Sequence, residues 1–245
     1  MNDINFIFNP IKTPLNFTLQ YVVIPQEKQH YGVIVEEEHG YLWALYGLSK
    51  SYRKSDKFSF SSFEQNDALV TQMKKASLNL AGRGEGHDKF LRQLTVSLEI
   101  NCSRRFMQHY ATYIFAVTQS SSTMHSLTKR DIKKTDFIFP DKKCSWIARA
   151  LFWINLKGLP LIIKYGNPQS ELGAALMESY LQDRATTTNY ATIDNMLKQR
   201  WNHPINTNGH KEWKIICLSL YNQLEHKELL SVELVDGKLQ RKDRK

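Results

Sequence analysis

The sequence has little cysteine and no cysteine pair. Its 245 residues include Cys102, Cys144 and Cys217, and no two of them are close enough to form a Cys-x-x-Cys motif. Small secreted domains and zinc-binding modules depend on such pairs for disulfides or metal ligands. The spacing therefore excludes a disulfide framework and a zinc knuckle, and it favours a reducing compartment.

Long apolar segments are also missing. No uninterrupted apolar run approaches the length of about 18 residues that a membrane-spanning helix needs. Met1–Asn9 has neither a basic leader nor a long apolar stretch. These absences predict a soluble, cytoplasmic protein with no membrane partner.

Motifs of several enzyme classes are absent as well. No Gly-x-Ser-x-Gly or His-Glu-x-x-His motif occurs, which argues against a hydrolase nucleophile and a zinc site, so no metal is predicted. Gly82-x-Gly84-x-Gly86 follows an expected helix and precedes an expected strand, the reverse of a dinucleotide-binding turn. These glycines are therefore predicted to end a helix.

The charge that is present is positive and unevenly placed. Lys and Arg outnumber Asp and Glu by 33 to 24, a net charge of +9, and residues 238–245 contribute 5 − 1 = +4 of it. The remainder suits phosphate-bearing ligands but is too small to indicate specific nucleic-acid binding. Nonspecific nucleic-acid binding through the basic tail is left open as an alternative.

The apolar content predicts one folded domain of the α+β class. Hydrophobic residues make up 42% of the chain, enough to bury one sizeable core. Alternation predicts strands at 17–24, 31–36 and 40–46, so residues 1–60 are expected to be a β-rich part of that domain. Residues 61–236 are expected to form its core, a mixed central sheet with flanking helices, and 237–245 a disordered basic tail.

Helical spacing begins near residue 62. It predicts helices at 62–82, 103–117, 146–156, 171–181, 186–200 and 211–224, with Ser103 capping the second of them. Alternation predicts a strand at 93–100, and Pro160–Lys164 is expected to form another strand between two helices.

One stretch of the second half resembles a known family. Asn189, Asn195 and Arg200, followed by His210-Lys-Glu-Trp213, resemble the C-terminal signature of flavin-dependent thymidylate synthases. That signature has Asn, Asn six residues later, Arg five further, and then His-x-x-Trp, which here follows a longer connection. On a helix, the two asparagines and the arginine would share one sector and point into one cleft. A plain amphipathic helix with solvated polar residues is the alternative.

A second segment resembles the family more weakly. Gly86-His87-Asp-Lys-Phe90, a strand, Ser103-Arg104 and Gln108 lead in the family's order to its hallmark, Arg-His-Arg-x-x-Ser-x-Asn-Glu-x-Ser-x-Arg. Laid without gaps on residues 111–123, the hallmark keeps only Ser121, has Gln119 in place of Glu, and has lost its arginines. The following Ser-Thr-Met-His, residues 122–125, is similar to divergent, often phage-associated members.

The resemblance covers residues 62–225 and implies an enzyme. It implies a homotetramer with FAD held between subunits, which methylates dUMP or a related pyrimidine nucleotide. Methylenetetrahydrofolate would donate the carbon and NADPH the electrons. The resemblance also implies that Arg200 is catalytic and binds the uracil carbonyl, and that Gln119 and Ser121 face the nucleotide phosphate. The residues implied to contact the flavin are His87, Asn189, Asn195 and His210.

The lost arginines leave a second hypothesis open, a catalytically degenerate relative that binds a nucleotide or another protein. A guanidinium bound to a phosphate contributes about 1.5–3 kcal/mol, so two or three losses weaken ligand binding unless other cations substitute. The nearest candidates are Lys129, Arg130, Arg104 and Arg105.

Overall fold

The computed structural model describes residues 7–12, 18–23, 31–52, 58–113, 115–121, 127–139, 144–203 and 212–242, with the backbone alone for the first two ranges. The strands are β1 (Ile7–Lys12), β2 (Thr18–Val23), β3 (Gly32–His39), β4 (Thr95–Ser103), β5 (Val117–Ser120), β6 (Leu181–Asn189), β7 (Val232–Val235) and β8 (Lys238–Arg241). The α-helices are α1 (Tyr41–Ser49), α2 (Phe60–Glu64), α3 (Asp67–Leu80), α4 (Arg104–Tyr110), α5 (Trp146–Tyr165), α6 (Pro168–Ala175), α7 (Tyr190–Arg200) and α8 (Glu212–Gln223).

A four-stranded sheet lies at the centre of the fold. Its strand order is β3-β4-β6-β5, while β1 with β2 and β7 with β8 form separate two-stranded ribbons. The predicted α+β class is confirmed. The sheet was expected to be mixed, but its three pairings among the described residues are all antiparallel.

One face of this sheet packs against α7 and α8. Along β4, Val96, Leu98 and Ile100 are at most 3% exposed and point into the core, as their alternation predicts. The intervening Ser97 and Glu99 point to the opposite, open face. In the same core lie buried residues of the two helices, including Tyr190, Ile193, Trp213 and Ile216. The sheet therefore fixes the position of both helices that carry the resemblance.

The predicted strand at 40–46 is wrong, because these residues begin helix α1. Gly40 has a positive φ of 88°, and this left-handed residue turns the chain from β3 into the helix. Ala44 and Leu45 are fully buried, so the apolar run is covered on one helical face. Residues with high strand propensity form a helix here because packing against the core outweighs local preference.

The predicted strand at Pro160–Lys164 is also wrong, because α5 continues through Pro160. The helix gives up the hydrogen bond that a proline nitrogen cannot donate. Leu156 and Leu159, before the proline, are buried in a second core cluster, and Ile162 and Ile163, after it, are partly buried against the same cluster, so packing holds the helix on both sides of the proline.

Most of the predicted helices have different bounds, and in three of them a strand occupies part of the predicted range. The helix capped by Ser103 stops at Tyr110, and residues 117–120 form β5. The helix predicted at 171–181 is replaced by α6, which ends at Ala175, and by the first residue of β6. The helix predicted at 186–200 begins only at Tyr190, because 181–189 form β6. Buried threonines at 186 and 188 occupy the core side of that strand, so no apolar alternation marked it in the sequence.

The tail predicted to be disordered forms strand β8 over Lys238–Arg241. Asp236 and Gly237 both have positive φ, 48° and 71°, as a two-residue hairpin turn requires. Leu239 is 2% exposed, and Asp194 of α7 accepts hydrogen bonds from the Ser231 backbone N–H and hydroxyl, both at 2.7 Å. Residues 243–245 lie outside the described part of the chain.

Helix α5 is long and apolar enough to span a membrane by length and composition alone. An apolar stretch of 18 residues within this helix has a mean hydropathy of 1.3, and 17% of that stretch is buried. Trp146, Ile147, Leu151 and Ile154 are each more than half exposed. One such helix is weak support for a membrane span, and the sequence-based expectation of a soluble protein stays a prediction.

Candidate functional site

Helix α7 carries two of the residues implied by the resemblance, Asn195 and Arg200, and a third, Asn189, caps its N-terminus. The Asn189 Oδ1 accepts a hydrogen bond from the Thr192 backbone N–H at 3.0 Å, and the residue is 8% exposed. Asn189 is therefore the residue before the helix and not part of its face. The prediction that it shares a helical sector with Asn195 and Arg200 is wrong.

Asn195 and Arg200 also lie on different sides of α7. Five residues of an α-helix turn through about 500°, which leaves their side chains about 140° apart. Asn195 is exposed, whereas Arg200 is partly buried at the C-terminal end. A single cleft within one chain cannot be lined by both in the way that the spacing predicted.

Arg200 is held between two aromatic side chains. Its Nε donates a hydrogen bond to the Tyr113 hydroxyl at 3.0 Å, and its guanidinium carbon lies 5.6 Å from the Tyr113 ring and 5.0 Å from the Trp213 ring. The Tyr113 hydroxyl in turn donates to the Gln199 Oε1 at 3.1 Å. Cations stacked on aromatic faces are stabilised by about 0.5–2 kcal/mol when partly desolvated. The arginine is therefore fixed in direction while staying partly accessible.

A basic cluster surrounds Arg200. We define it as Arg105 and His109 of α4 with Arg200 and His203, all of them partly buried. Burial and then the positive charges of Arg200, Arg105 and His203 lower the pKa of His109. The protonated form of His109 is disfavoured by these positive charges, and a bound anion would offset them. The basic cluster therefore suits a phosphate or a carboxylate.

Gln119 and Ser121 lie in a different place, on the open face of the sheet. Gln119 pairs with Ala185, whose other neighbour is Glu99, and all three line a groove of about 670 Å³. Ser121 also lines this groove, and Arg200 does not.

The groove carries an excess of negative charge, because three carboxylates line it, those of Glu36, Glu99 and Asp183, against the one guanidinium of Arg184. Burial, followed by the negative charges of Glu36 and Asp183, raises the pKa of Glu99. The three carboxylates outnumber the one guanidinium, so the groove repels a phosphate unless further positive charge enters it.

His87 occupies a third location. It is exposed in a cleft of about 580 Å³ with Gly86, Lys89, Tyr52 and Gln93. The implied site residues are thus distributed along α7, on the open sheet face and in the His87 cleft. His210 and residues 122–125 lie outside the described part of the chain.

Sequence reasoning missed His109, Tyr113 and Trp213 as site residues, and it offered Arg105 only as one of four substitute cations. The four-residue spacing of Arg105 and His109 on a short helix was a usable signal. Their approach to Arg200 was not readable from sequence, because the Arg200–Tyr113 hydrogen bond joins residues 87 positions apart.

Comparison with known proteins shows which fold this is. Two solved structures of the flavin-dependent thymidylate synthase ThyX from Helicobacter pylori, complexed with FAD and dUMP, superpose with TM-scores of 0.63. They are 18% and 19% identical in sequence, and the alignments cover 81% and 82% of this chain and 97% of each ThyX chain.

A UMP/dUMP methylase, PolB from Streptomyces cacaoi bound to 5-Br UMP, matches with a TM-score of 0.50 at 10% identity, over 79% of this chain and 88% of that one. No protein-family profile and no curated protein sequence matches the chain. The resemblance in the sequence is thus confirmed at the level of structure: this chain has the fold of the flavin-dependent thymidylate synthases.

Proposed function

We propose that this protein binds a pyrimidine nucleotide, dUMP or a close relative, and methylates its base in a flavin-dependent reaction. The fold is shared with two thymidylate synthases and a UMP/dUMP methylase. The observation that carries the proposal is Arg200, fixed by Tyr113 and Trp213 inside the basic cluster. In this role Arg200 binds the uracil carbonyl and stabilises the negative charge that develops on the ring.

The donor chemistry of the chain fits FAD. Arg200 offers a guanidinium, and His87 and Asn195 offer an exposed imidazole and an exposed amide, which suit the phosphates and carbonyls of that cofactor. Asn189 and His210 complete the proposed set. When bound, FAD supplies the electrons of the reductive methylation, with NADPH as their source and methylenetetrahydrofolate as the carbon donor. Gln119 and Ser121 are proposed to face the nucleotide phosphate.

We also propose that the active site is completed between subunits of a homotetramer. His87, Arg200 and the pair Gln119 and Ser121 lie in three separate places of one chain. A second subunit that brings its own cation to the acidic groove would both gather these residues and neutralise Glu36, Glu99 and Asp183.

A degenerate, non-catalytic nucleotide-binding relative is the second candidate. It is favoured by residues 111–113, which replace the Arg-His-Arg of the hallmark. The Thr112 hydroxyl donates to the His109 carbonyl at 2.7 Å, and the Tyr113 hydroxyl is engaged by Arg200 and Gln199. These side chains therefore have their polar groups occupied within the chain.

Visible absorption and turnover distinguish the two candidates. Purified protein is mixed with FAD, then with dUMP, methylenetetrahydrofolate and NADPH, and the nucleotide is analysed by mass spectrometry. We expect a bound-flavin spectrum and a methylated nucleotide, and a loss of about 100-fold in kcat/KM for Arg200→Gln. The matched control, Arg83→Gln, removes an exposed arginine and should keep full activity.

Protein that binds dUMP but takes up no FAD and forms no product would instead support the degenerate relative. Protein that binds neither dUMP nor FAD would exclude both candidates.

A further inference from the structure

Helix α5 carries a large share of the exposed apolar surface. In the described part of the chain, fourteen large hydrophobic side chains are exposed, and seven of them belong to this helix: Trp146, Ile147, Leu151, Trp153, Ile154, Leu161 and Tyr165. A soluble monomer rarely exposes a contiguous apolar patch larger than about 300–600 Å². The concentration of such side chains on one helix therefore indicates a surface that contacts another molecule.

Five of the seven side chains form one row along the helix. Successive members are four, three, seven and four residues apart: Ile147, Leu151, Ile154, Leu161 and Tyr165. Gly158 divides the longer interval into four and three. Alternating steps of three and four residues are typical of a helix that packs along another helix, because they keep the row facing its partner. We call this row, with Gly158, the α5 seam.

The α5 seam lies opposite the buried side of the helix. Phe152, Leu156 and Leu159 are buried in the second core cluster. At 100° per residue, Leu156 lies about 180° around the helix from Ile147. A helix that is apolar on all sides is normally covered on all sides. Within the described part of the chain, α5 is covered along the Leu156 side and exposed along the seam.

The width of the seam favours another helix over a membrane as its cover. The six positions of the seam span about 80° of the helix circumference. An amphipathic helix on a surface presents an apolar stripe of about 100° or more, whereas a narrower stripe is the contact between paired helices. Lys157, near the middle of α5, also opposes a membrane span, because a charge is most costly at the centre of the bilayer.

We propose that the α5 seam binds a second copy of this chain, with the two α5 helices antiparallel about a two-fold axis. A two-fold interface uses the same patch on both subunits, so one seam is sufficient. The seven exposed side chains, at roughly 100 Å² each, offer roughly 700 Å². A standard interface buries about 800 Å² per partner. The proposal specifies one contact of the proposed homotetramer and does not depend on the proposed reaction.

The side chains beside the seam favour the antiparallel direction. Trp146 and Lys164 border the seam on the same side of α5, at opposite ends of the helix. Antiparallel packing brings the same side of both helices together and exchanges their ends. Lys164, whose Nζ lies 4.9 Å from the Tyr165 ring, then lies beside Trp146 of the second copy, where the indole ring attracts the ammonium group. In a parallel pair, this side of α5 would face the side that carries Asn155.

Molar mass in solution tests the interface. Light scattering is measured on the full chain at a salt concentration that screens nonspecific contacts of this basic protein. We expect the unmodified protein to be a dimer or tetramer, and Leu151→Glu and Leu161→Glu each to halve its mass. Both subunits bring the new charge into the interface, so the Kd of the dimer should rise about 100-fold or more.

Leu78→Glu is the matched control. It places the same charge at an exposed leucine of helix α3 and should leave the molar mass unchanged. Circular dichroism shows that each variant is folded. Seam variants that keep the mass of the unmodified protein would overturn the proposal.

Cross-linking tests the direction of the two helices. Ile154→Cys and Ile147→Cys are made in a Cys144→Ser background, where the two remaining native cysteines are buried, and treated with a short bifunctional maleimide. Antiparallel packing brings the two copies of position 154 close to the axis and separates the two copies of position 147 by about 27 Å. We expect a cross-linked dimer for Ile154→Cys alone. Cross-linking at both positions would overturn the antiparallel arrangement.

A monomeric protein would overturn the proposal, and two further measurements identify what covers the seam instead. Sedimentation with vesicles of phosphatidylcholine and phosphatidylserine that is lost in Leu151→Glu would assign the seam to a membrane surface. A lower free energy of unfolding for Leu151→Glu than for Leu78→Glu, without binding to vesicles, would show that the chain covers the seam itself.

The two possible failures are distinguishable. If the seam variants keep the mass of the unmodified protein while the methylated nucleotide forms, the interface is wrong and the proposed function stands. If the seam variants have half the mass but the unmodified protein takes up no FAD and forms no product, the interface stands and the proposed function fails.

Discussion

At the scale of single residues, Tyr113 stands where the hallmark has an arginine, and it helps to orient Arg200. A tyrosine offers both a ring for the guanidinium to stack on and a hydroxyl that accepts from its Nε. Trp213 provides the second ring and is 2% exposed, so it cannot move without opening the core. Aromatic packing thus contributes to the orientation of Arg200.

Removing the Tyr113 hydroxyl tests this dependence. Tyr113→Phe keeps the ring but loses the hydrogen bonds to Arg200 and Gln199, so we expect the free energy of unfolding to fall by about 1 kcal/mol. Urea unfolding measures the change, and Tyr52→Phe, at an exposed tyrosine, is the control. Equal stability of Tyr113→Phe and the unmodified protein would show that these hydrogen bonds are not formed in solution.

Glu212 makes a second prediction at this scale, about pH. Burial raises the pKa of Glu212, and the hydrogen bonds from Ser103 with the charge of Arg105 offset only part of that rise. Because the folded pKa lies above the unfolded one, this carboxyl group favours folding most below its unfolded pKa, and that contribution is lost as the pH rises through the folded value.

Glu212→Gln has no such proton to lose. The free energy of unfolding of the variant minus that of the unmodified protein should therefore increase as the pH rises from about 4 to about 7. Urea unfolding at several pH values checks this. A constant difference between the two proteins would mean that Glu212 has the same pKa folded and unfolded.

At the scale of elements, two glycines that look alike in the sequence have opposite roles. Gly40 has a φ of 88°, and a Cβ there would lie 2.5 Å from the Gln93 carbonyl oxygen. Gly158 lies within helix α5, where a Cβ would meet nothing within 4 Å. Gly40 is required by the turn into α1, whereas Gly158 only weakens helix α5.

Alanine at each position measures the difference. Gly40→Ala should lower the free energy of unfolding by about 2 kcal/mol or more, from backbone strain and the close contact. Gly158→Ala should raise it by about 0.5–1 kcal/mol, because alanine favours the helix. Thermal or urea unfolding of both variants is sufficient, and a stable Gly40→Ala protein would contradict the observed turn.

Apolar periodicity identified several elements but assigned the wrong type at 40–46 and 160–164, and a strand whose core side is polar was missed. Alternation identified β4, and a hydroxyl with helical spacing identified the Ser103 cap, where the Ser103 Oγ accepts from the Phe106 N–H at 3.0 Å. Residues 186–189 of β6 were predicted to begin a helix, because the core side of this strand carries the buried Thr186 and Thr188; the Thr186 hydroxyl lies 3.1 Å from the Thr118 hydroxyl of β5. Such a strand forms through tertiary packing that one sequence does not display.

The candidate site, too, could be predicted only in part from the sequence. Arg200 was identified from a motif, but Arg105, His109 and Tyr113 become site residues only when α4 and α7 meet across the core.

At the scale of the whole molecule, nucleotide binding should be visible as stability. A ligand that binds only the folded protein stabilises it by about 2.7 kcal/mol at a concentration 100 times its Kd. For a chain of this size, that corresponds to a rise in Tm of about 5–10 °C. We expect dUMP to produce this rise in calorimetry. Arg200→Gln should reduce it strongly, and an equal rise in that variant would place the nucleotide away from Arg200.

The contact between α7 and the β7–β8 hairpin has a consequence for the order of synthesis. Asp194 is buried, and its partner Ser231 is made 37 residues later. While the chain emerges from the ribosome, helix α7 can be present with the Asp194 carboxylate paired to Lys198 of the same helix, at 3.0 Å, but without its partner Ser231. Burial of this carboxylate with its full set of hydrogen bonds therefore waits until residues beyond 231 are released, however early the central sheet assembles.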